Sequence, residues 1–191
     1  MKSTVGHVGV WASLLVAACA SSPDHFYTLS TLPDTARGPL SAPTVHVLLD
    51  VTVPALVDRA EMVISTSPTA ILILDHERWA AGLSDQVSQT LARDIEKRRP
   101  DMLIGDRGFD QTASPPVIMK IDIVRMSAQR GGRANIEAQW RIVDASAGVD
   151  QLGTASFDAP LDGSDYTSVA QAYSQLLSAL AERLAGDVRR R

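Results

Sequence analysis

Apolar and polar residues alternate along several stretches of the chain, and this period of two predicts β-strands with one buried face. The first clear stretch runs from Val45 to Val53, with an aliphatic residue at every odd position, and Pro54 ends it. The longest stretch runs from Ala134 to Ile142, directly after a tight turn that contains Gly131 and Gly132. Further strands are predicted at residues 26–29, 61–66, 70–74, 117–123 and 155–159.

A period of about four replaces the period of two after residue 82, which predicts an amphipathic helix. Its apolar stripe consists of Leu83, Val87, Leu91 and Ile95. We expect Ser84 to cap the N-terminus of this helix and Pro100 to end it. The basic residues 97–99 lie where the negative end of the helix dipole favours positive charge.

A second helix is predicted from about Asp165 to Ala185, with Ser164 as its cap and Gly186 at its end. Its apolar stripe consists of Tyr166, Val169, Tyr173, Leu176, Leu177, Leu180 and Leu184. Two amphipathic helices and a sheet with one apolar face predict an α+β fold. We expect a two-layer sandwich over residues 25–187, with a mostly antiparallel sheet and both helices on one face. Residues 188–191 then form a basic tail.

The beginning of the chain has the features of an export signal rather than of a folded element. Its apolar segment of about eleven residues is too short for a bilayer span, which takes about 20. The segment ends in Val16-Ala17-Ala18-Cys19, the order of a lipobox, in which cysteine follows an aliphatic and two small residues. Cys19 is the only cysteine, so lipid attachment explains a thiol without a disulfide partner. We expect a lipoprotein signal peptide over residues 1–18 and a lipidated tether over residues 19–24; an ordinary signal peptide with Cys19 incidental is the alternative.

The composition and the motifs argue against several classes of partner and chemistry. A net charge of −4 provides no basic surplus, so we expect no nucleic-acid partner. His76-Glu77 begins like a zinc-protease motif, but Ala80 occupies the position of the second histidine. The sequence contains neither a Gly-x-Ser-x-Gly elbow nor a Gly-x4-Gly-Lys phosphate loop. It therefore predicts a protein that is not an enzyme and holds no cofactor or metal.

Two short motifs flank a predicted pair of strands. They are Pro54-Ala55-Leu56-Val57-Asp58-Arg59 and Arg78-Trp79-Ala80-Ala81-Gly82-Leu83. Phe26-Tyr27-Thr28-Leu29 follows shortly after the predicted lipid site, and a strand with Trp140 precedes the closing helix. In this order, over roughly residues 25–186, these features resemble the ABC-type transport auxiliary lipoproteins, the PqiC-like family.

The resemblance implies a non-enzymatic subunit of a lipid transport system that combines an ABC transporter with mammalian-cell-entry (MCE) proteins. Such a lipoprotein is expected to dock an MCE-domain protein and to attach to the membrane through its lipidated cysteine. A homo-oligomeric ring is a possible assembly. Because residue 20 is alanine rather than aspartate, the usual sorting pattern of lipoproteins favours the periplasmic face of the outer membrane.

Arg59, Arg78 and Trp79 are the candidate partner-binding residues, because they lie in the two motifs. For Trp79 the alternative is a core side chain whose indole N–H needs a partner. The polar face of the longest strand is a further candidate, with plain solvation as its alternative. That face consists of Asn135, Glu137, Gln139 and Arg141. The alternative functions are a stand-alone lipid- or small-molecule-binding lipoprotein and an envelope hydrolase.

Overall fold

A computed structural model describes residues 22–31, 33, 45–105, 115–163 and 165–188. The predictions for the signal peptide, Cys19, Ser164 and the tail beyond Val188 lie outside the described residues. The strands are β1 (His25–Tyr27), β2 (Val45–Thr52), β3 (Glu61–Ser67), β4 (Ala70–Trp79), β5 (Met102–Gly105), β6 (Val117–Ala128), β7 (Arg133–Asp144) and β8 (Val149–Pro160). The helices are α1 (Leu83–Arg98) and α2 (Thr167–Asp187).

The strands form two mixed sheets. The larger has the order β5-β2-β6-β7-β8, in which β2 is parallel to both neighbours and β6, β7 and β8 form an antiparallel meander. The smaller has the order β1-β4-β3, in which β3 and β4 form an antiparallel hairpin and β1 is parallel to β4. The predicted α+β class with two helices is confirmed; the division of the strands between two sheets is new.

Both helices pack on one face of the larger sheet and against each other. The α1 stripe from Leu83 to Ile95 is at most 1% exposed, and Leu177, Leu180 and Leu184 of α2 are fully buried. The inward residues of the sheet meet these stripes in one continuous apolar core. The apolar periods of the two helices and of β2, β6 and β7 therefore identify the correct buried faces, as expected when burial of apolar surface drives folding.

The helix ends correct several sequence predictions. Ser84 is not the cap of α1: the N-cap position is Gly82, and the Ser84 backbone N–H donates to the carboxylate of Asp58 at 3.2 Å. At the start of α2, the carboxylate of Asp165 accepts a hydrogen bond from the Ser168 backbone N–H at 3.2 Å. Gly186 does not end α2, because it lies inside the last turn. A carboxylate near each helix start receives N–H groups that have no partner within the helix.

Arg99, which follows α1, stabilises the end of α2 rather than only its own helix. Its side chain is nearly buried, and Nη1 donates to the carbonyls of Ala185 at 3.1 Å and Val188 at 2.6 Å. Nε and Nη2 bind the Asp101 carboxylate at 2.9 and 2.8 Å. These contacts satisfy two carbonyls at the C-terminal end of α2 and join both helices to the strand β5 that follows Asp101.

Candidate partner-docking site

The hairpin of β3 and β4 brings the two sequence motifs together. The first motif forms a turn, in which the backbone N–H groups of Val57 and Asp58 donate to the Pro54 carbonyl at 3.0 and 3.1 Å. This turn leads into β3, whose first residue, Glu61, lies in register with Arg78 of the second motif. Residues about 20 positions apart in the sequence therefore become neighbours at the base of the hairpin.

Glu61 connects the two candidate arginines. Its Oε2 lies 2.9 Å from Nε of Arg59, and its Oε1 lies 3.3 Å from Nη1 of Arg78. The hydrogen bond from Arg59 is the main reason why the pKa of Glu61 lies below its ordinary value. Both arginine side chains remain partly exposed, at 40% and 32%, and a guanidinium has five donors. The cluster can therefore bind an acidic group of a partner without losing Glu61.

Phe26 extends this surface on the other side of β4. It lies in register with Arg78, and residues in register on neighbouring strands have side chains on the same face of the sheet. Its ring is 64% exposed, the second largest exposure of any large apolar side chain among the described residues. We call Phe26, Arg59, Glu61 and Arg78 the docking cluster.

Trp79 lies on the opposite face and is 5% exposed. Its ring centroid is 6.3 Å from that of Tyr173 on α2, and its backbone N–H donates to the Ala60 carbonyl at 2.7 Å. This burial fits the core alternative for Trp79. The strand predicted over residues 70–74 is too short, because β4 continues to Trp79 and includes Arg78. Trp79 fixes this end of the strand and thereby the position of Arg78.

The family of ABC-type transport auxiliary lipoprotein components matches residues 27–185. The chain belongs to this family. Its fold is similar to a crystal structure of an uncharacterised protein, with a TM-score of 0.72 and 14% identity over 88% of this chain and 100% of the other. A Xanthomonas campestris protein of the DUF330 family has a TM-score of 0.63 and 19% identity over 85% and 93% of the two chains. No curated protein matches the chain.

In the auxiliary lipoprotein, the carboxylate of Glu77 holds the first strand, β1, in place. Glu77 lies on the face of β4 opposite the docking cluster. The Glu77 carboxylate accepts a hydrogen bond from the Tyr27 hydroxyl at 2.5 Å and lies 3.0 Å from Nδ1 of His25. Burial by itself would raise the pKa of Glu77, but the hydrogen bonds from Tyr27 and His25 outweigh it, and the pKa lies below its ordinary value. Burial, together with the hydrogen bond to the same carboxylate, raises the pKa of the Tyr27 hydroxyl.

A Glu77→Gln variant of the auxiliary lipoprotein should be less stable by about 1 kcal/mol near pH 7, because the amide accepts weaker hydrogen bonds than the carboxylate. Because folding lowers the pKa of Glu77, its carboxylate contributes stability above its ordinary pKa of 4.5. This contribution is lost as the pH falls through the lower pKa of the folded state. The difference between variant and wild type should therefore shrink below about pH 4. Urea unfolding across pH measures it, and exposed Glu182→Gln is the control; a difference independent of pH contradicts the assignment.

The polar face of β7 in the auxiliary lipoprotein is engaged in local pairs. Nδ2 of Asn135 donates to Ser156 and Asp158 on β8 at 3.1 and 3.2 Å. The guanidinium of Arg141 binds the Asp150 carboxylate at 2.6 and 2.8 Å. Cross-strand pairs of this kind are typical of a solvated sheet surface. The geometry favours plain solvation for this face.

Neither a metal-ligand cluster nor a membrane-spanning helix occurs among the described residues of the auxiliary lipoprotein. Within those ranges, no three His, Cys, Asp or Glu side chains converge to hold an ion. The histidines His25 and His76 each lie against one carboxylate, of Glu77 and Asp24 respectively. No described helix is long and apolar enough to cross a bilayer.

Proposed function

We propose that this chain is a periplasmic lipoprotein, anchored in the outer membrane through Cys19, that docks an MCE-domain protein of an ABC-type lipid transport system. It acts there as a non-catalytic auxiliary subunit and contributes to envelope integrity. The family match over residues 27–185 carries the proposal, because it covers nearly the whole folded domain. The lipobox that ends at Cys19 supports the anchor, and Ala20 directly after it supports the location in the outer membrane.

The chemistry of the docking cluster supports a binding role. Arginine stays protonated at all physiological pH values and cannot take or give a proton in catalysis. Its planar fork binds carboxylates in pairs of hydrogen bonds, and an adjacent exposed aromatic ring such as Phe26 adds apolar contact. We therefore expect the MCE-domain partner to present acidic side chains beside an apolar pocket.

Replacing both arginines tests this assignment. An Arg59→Ala, Arg78→Ala variant should recover about tenfold less MCE-domain protein when the full-length lipoprotein is purified from solubilised membranes. Arg125→Ala is the matched control, because Arg125 is an exposed arginine on β6, in the other sheet, and pairs with Glu137 at 3.8 Å. Equal recovery by the double variant and the control would place the partner elsewhere on the surface.

If the protein instead binds lipid on its own, the same preparation should give a different result. Native mass spectrometry of the purified wild-type lipoprotein would then reveal a bound lipid beyond the acyl chains on Cys19. No MCE-domain protein would accompany it, and the arginine variants would change nothing.

A further inference from the structure

The turn end of the β3–β4 hairpin is exposed on the surface of the protein. All residues from Thr66 to Ile73 are exposed, over both strand ends and the turn between them. Ile71, Leu72 and Ile73 are 43%, 46% and 37% exposed, so apolar side chains point to both faces of β4. We call these three residues the hairpin tip. No charged residue occurs between Glu61 and Asp75.

The outer edge of β4 is open beside the hairpin tip. β3 pairs with β4 on one side, whereas β1 pairs with it only at residues 77–79. Among the described residues, no strand covers the edge from Ala70 to Asp75 on the β1 side. Proteins ordinarily protect such edges with charged residues or proline within the strand, and Ala70–Leu74 has neither. A long apolar edge of this kind indicates a surface that is covered in the assembled state.

The course of the chain before β1 indicates what lies near the hairpin tip. Because β1 is parallel to β4, its first residue, His25, lies toward the tip. Asp24 continues in the same direction, with its Oδ1 2.9 Å from Nδ1 of His76. Cys19 is five residues before Asp24, which is a reach of at most about 17 Å. Ile71 is likewise five residues from His76, which is about 17 Å along the strand.

We propose that the hairpin tip lies in the interfacial layer of the same bilayer that holds the acyl chains on Cys19. This inference rests on the proposed lipid anchor and adds a second point of membrane contact. Two contacts fix the orientation of the domain, which a single flexible tether does not. The base of the hairpin, with Arg78 seven residues from Ile71, then holds the docking cluster up to roughly 23 Å from the tip and away from the membrane.

A lipid surface fits the hairpin tip better than a second copy of the chain. A pairing strand or a packed sheet would cover one edge or one face, whereas the apolar side chains here point to both faces. The absence of charge from Met62 to Leu74 matches an apolar medium, and Thr66, Ser67 and Thr69 near the turn can bind headgroups or water. The contact is shallow, because an open strand edge needs water or headgroups for its backbone groups.

A fluorescent label at the hairpin tip tests the proposal on the full-length lipoprotein. With Cys19 acylated, Leu72→Cys provides a single reactive thiol for an environment-sensitive dye. The labelled protein is reconstituted in phosphatidylethanolamine–phosphatidylglycerol vesicles with nitroxide-labelled lipid. Leu152→Cys is the control, because Leu152 is 76% exposed on β8 of the other sheet. We expect a blue shift and about twofold nitroxide quenching at position 72, with no change at position 152.

The other outcomes distinguish a failure of the hairpin inference from a failure of the lipid anchor. If the protein floats with the vesicles but the dye at position 72 is not quenched, the hairpin inference is wrong and the anchor stands. A blue shift without quenching means that protein, such as a second copy, covers the tip, and this also overturns it. If mass spectrometry of the N-terminal peptide shows no acylation and the protein does not float with the vesicles, the anchor and the inference fail together. Thr69→Cys, at the turn, repeats the measurement should Leu72→Cys fold poorly.

Discussion

Replacing Cys19 by serine is expected to abolish stable membrane attachment and to leave a precursor that retains residues 1–18. A serine hydroxyl does not form the thioether to diacylglycerol that precedes cleavage of a lipoprotein signal. Each buried methylene contributes about 0.8 kcal/mol to membrane binding, so loss of all acyl chains removes nearly the whole attachment. Mass spectrometry of the N-terminal peptide measures cleavage and acylation, and flotation with membranes measures attachment.

Ser22→Ala is the matched control for this variant, because it removes a hydroxyl from the predicted tether and leaves the lipobox intact. It should be cleaved and acylated like the wild type. The folded domain of the Cys19→Ser chain should unfold at the same temperature as the wild type, since Cys19 precedes the first strand, which begins at His25. A Cys19→Ser chain that is cleaved and floats normally would contradict the anchor.

Gly153→Ala should destabilise the domain by about 2–3 kcal/mol, the ordinary cost of overfilling a packed site. Trp140 on β7 lies over Gly153 on β8, and a Cβ at that position overlaps ring atoms Cε2 and Cζ2 of the indole. The indole cannot move freely, because it is 3% exposed and its Nε1 donates to Asp187 at the end of α2 at 3.0 Å. Displacing it therefore disturbs the contact between sheet and helix.

Gly186→Ala is the control with the opposite expected sign. Gly186 lies within α2, and a Cβ there meets nothing within 4 Å. Alanine favours the helix over glycine by up to about 1 kcal/mol, so this variant should be as stable as the wild type or more stable. Chemical unfolding of both variants gives the free energies. An unchanged free energy of unfolding for Gly153→Ala would mean that Trp140 does not pack across β8.

The buried faces of the fold could be predicted from sequence because each apolar period determines which side chains share a face. The strand predicted over residues 134–142 is observed as Arg133–Asp144, and its inward residues Ala134, Ile136 and Ala138 are fully buried. The stripe of α1 was equally reliable. In both cases the signal repeats several times within one element, so a single exceptional residue does not change it.

Features that depend on a partner distant in sequence were missed. The polar run from Asp75 to Arg78 lacks apolar alternation, yet it continues β4 because β1 pairs beside it and Glu77 binds Tyr27. A local rule selects Ser84 as the cap of α1, whereas the Asp58 carboxylate, 26 residues earlier, receives the N–H of Ser84. The short strand β5 has too few residues to show a period.

The candidate site was only partly predictable. The motifs identified Arg59 and Arg78, but the carboxylate that joins them was not recognised, although Glu61 follows Arg59 by two positions at the start of a strand. The exposure of Phe26 beside Arg78 depends on the parallel register of β1 and β4. Sequence patterns do not reveal that register, because β1 has three residues.

Site-specific photocrosslinking in intact cells tests whether the docking cluster binds an MCE-domain protein. A benzophenone amino acid replaces Phe26 in the docking cluster, and in a control strain it replaces Leu152, which is more exposed and lies in the other sheet. We predict a covalent adduct between position 26 and an MCE-domain protein, with no such adduct from position 152. Recovery of the acylated lipoprotein from the outer membrane, with no MCE-domain adduct at position 26, would contradict it.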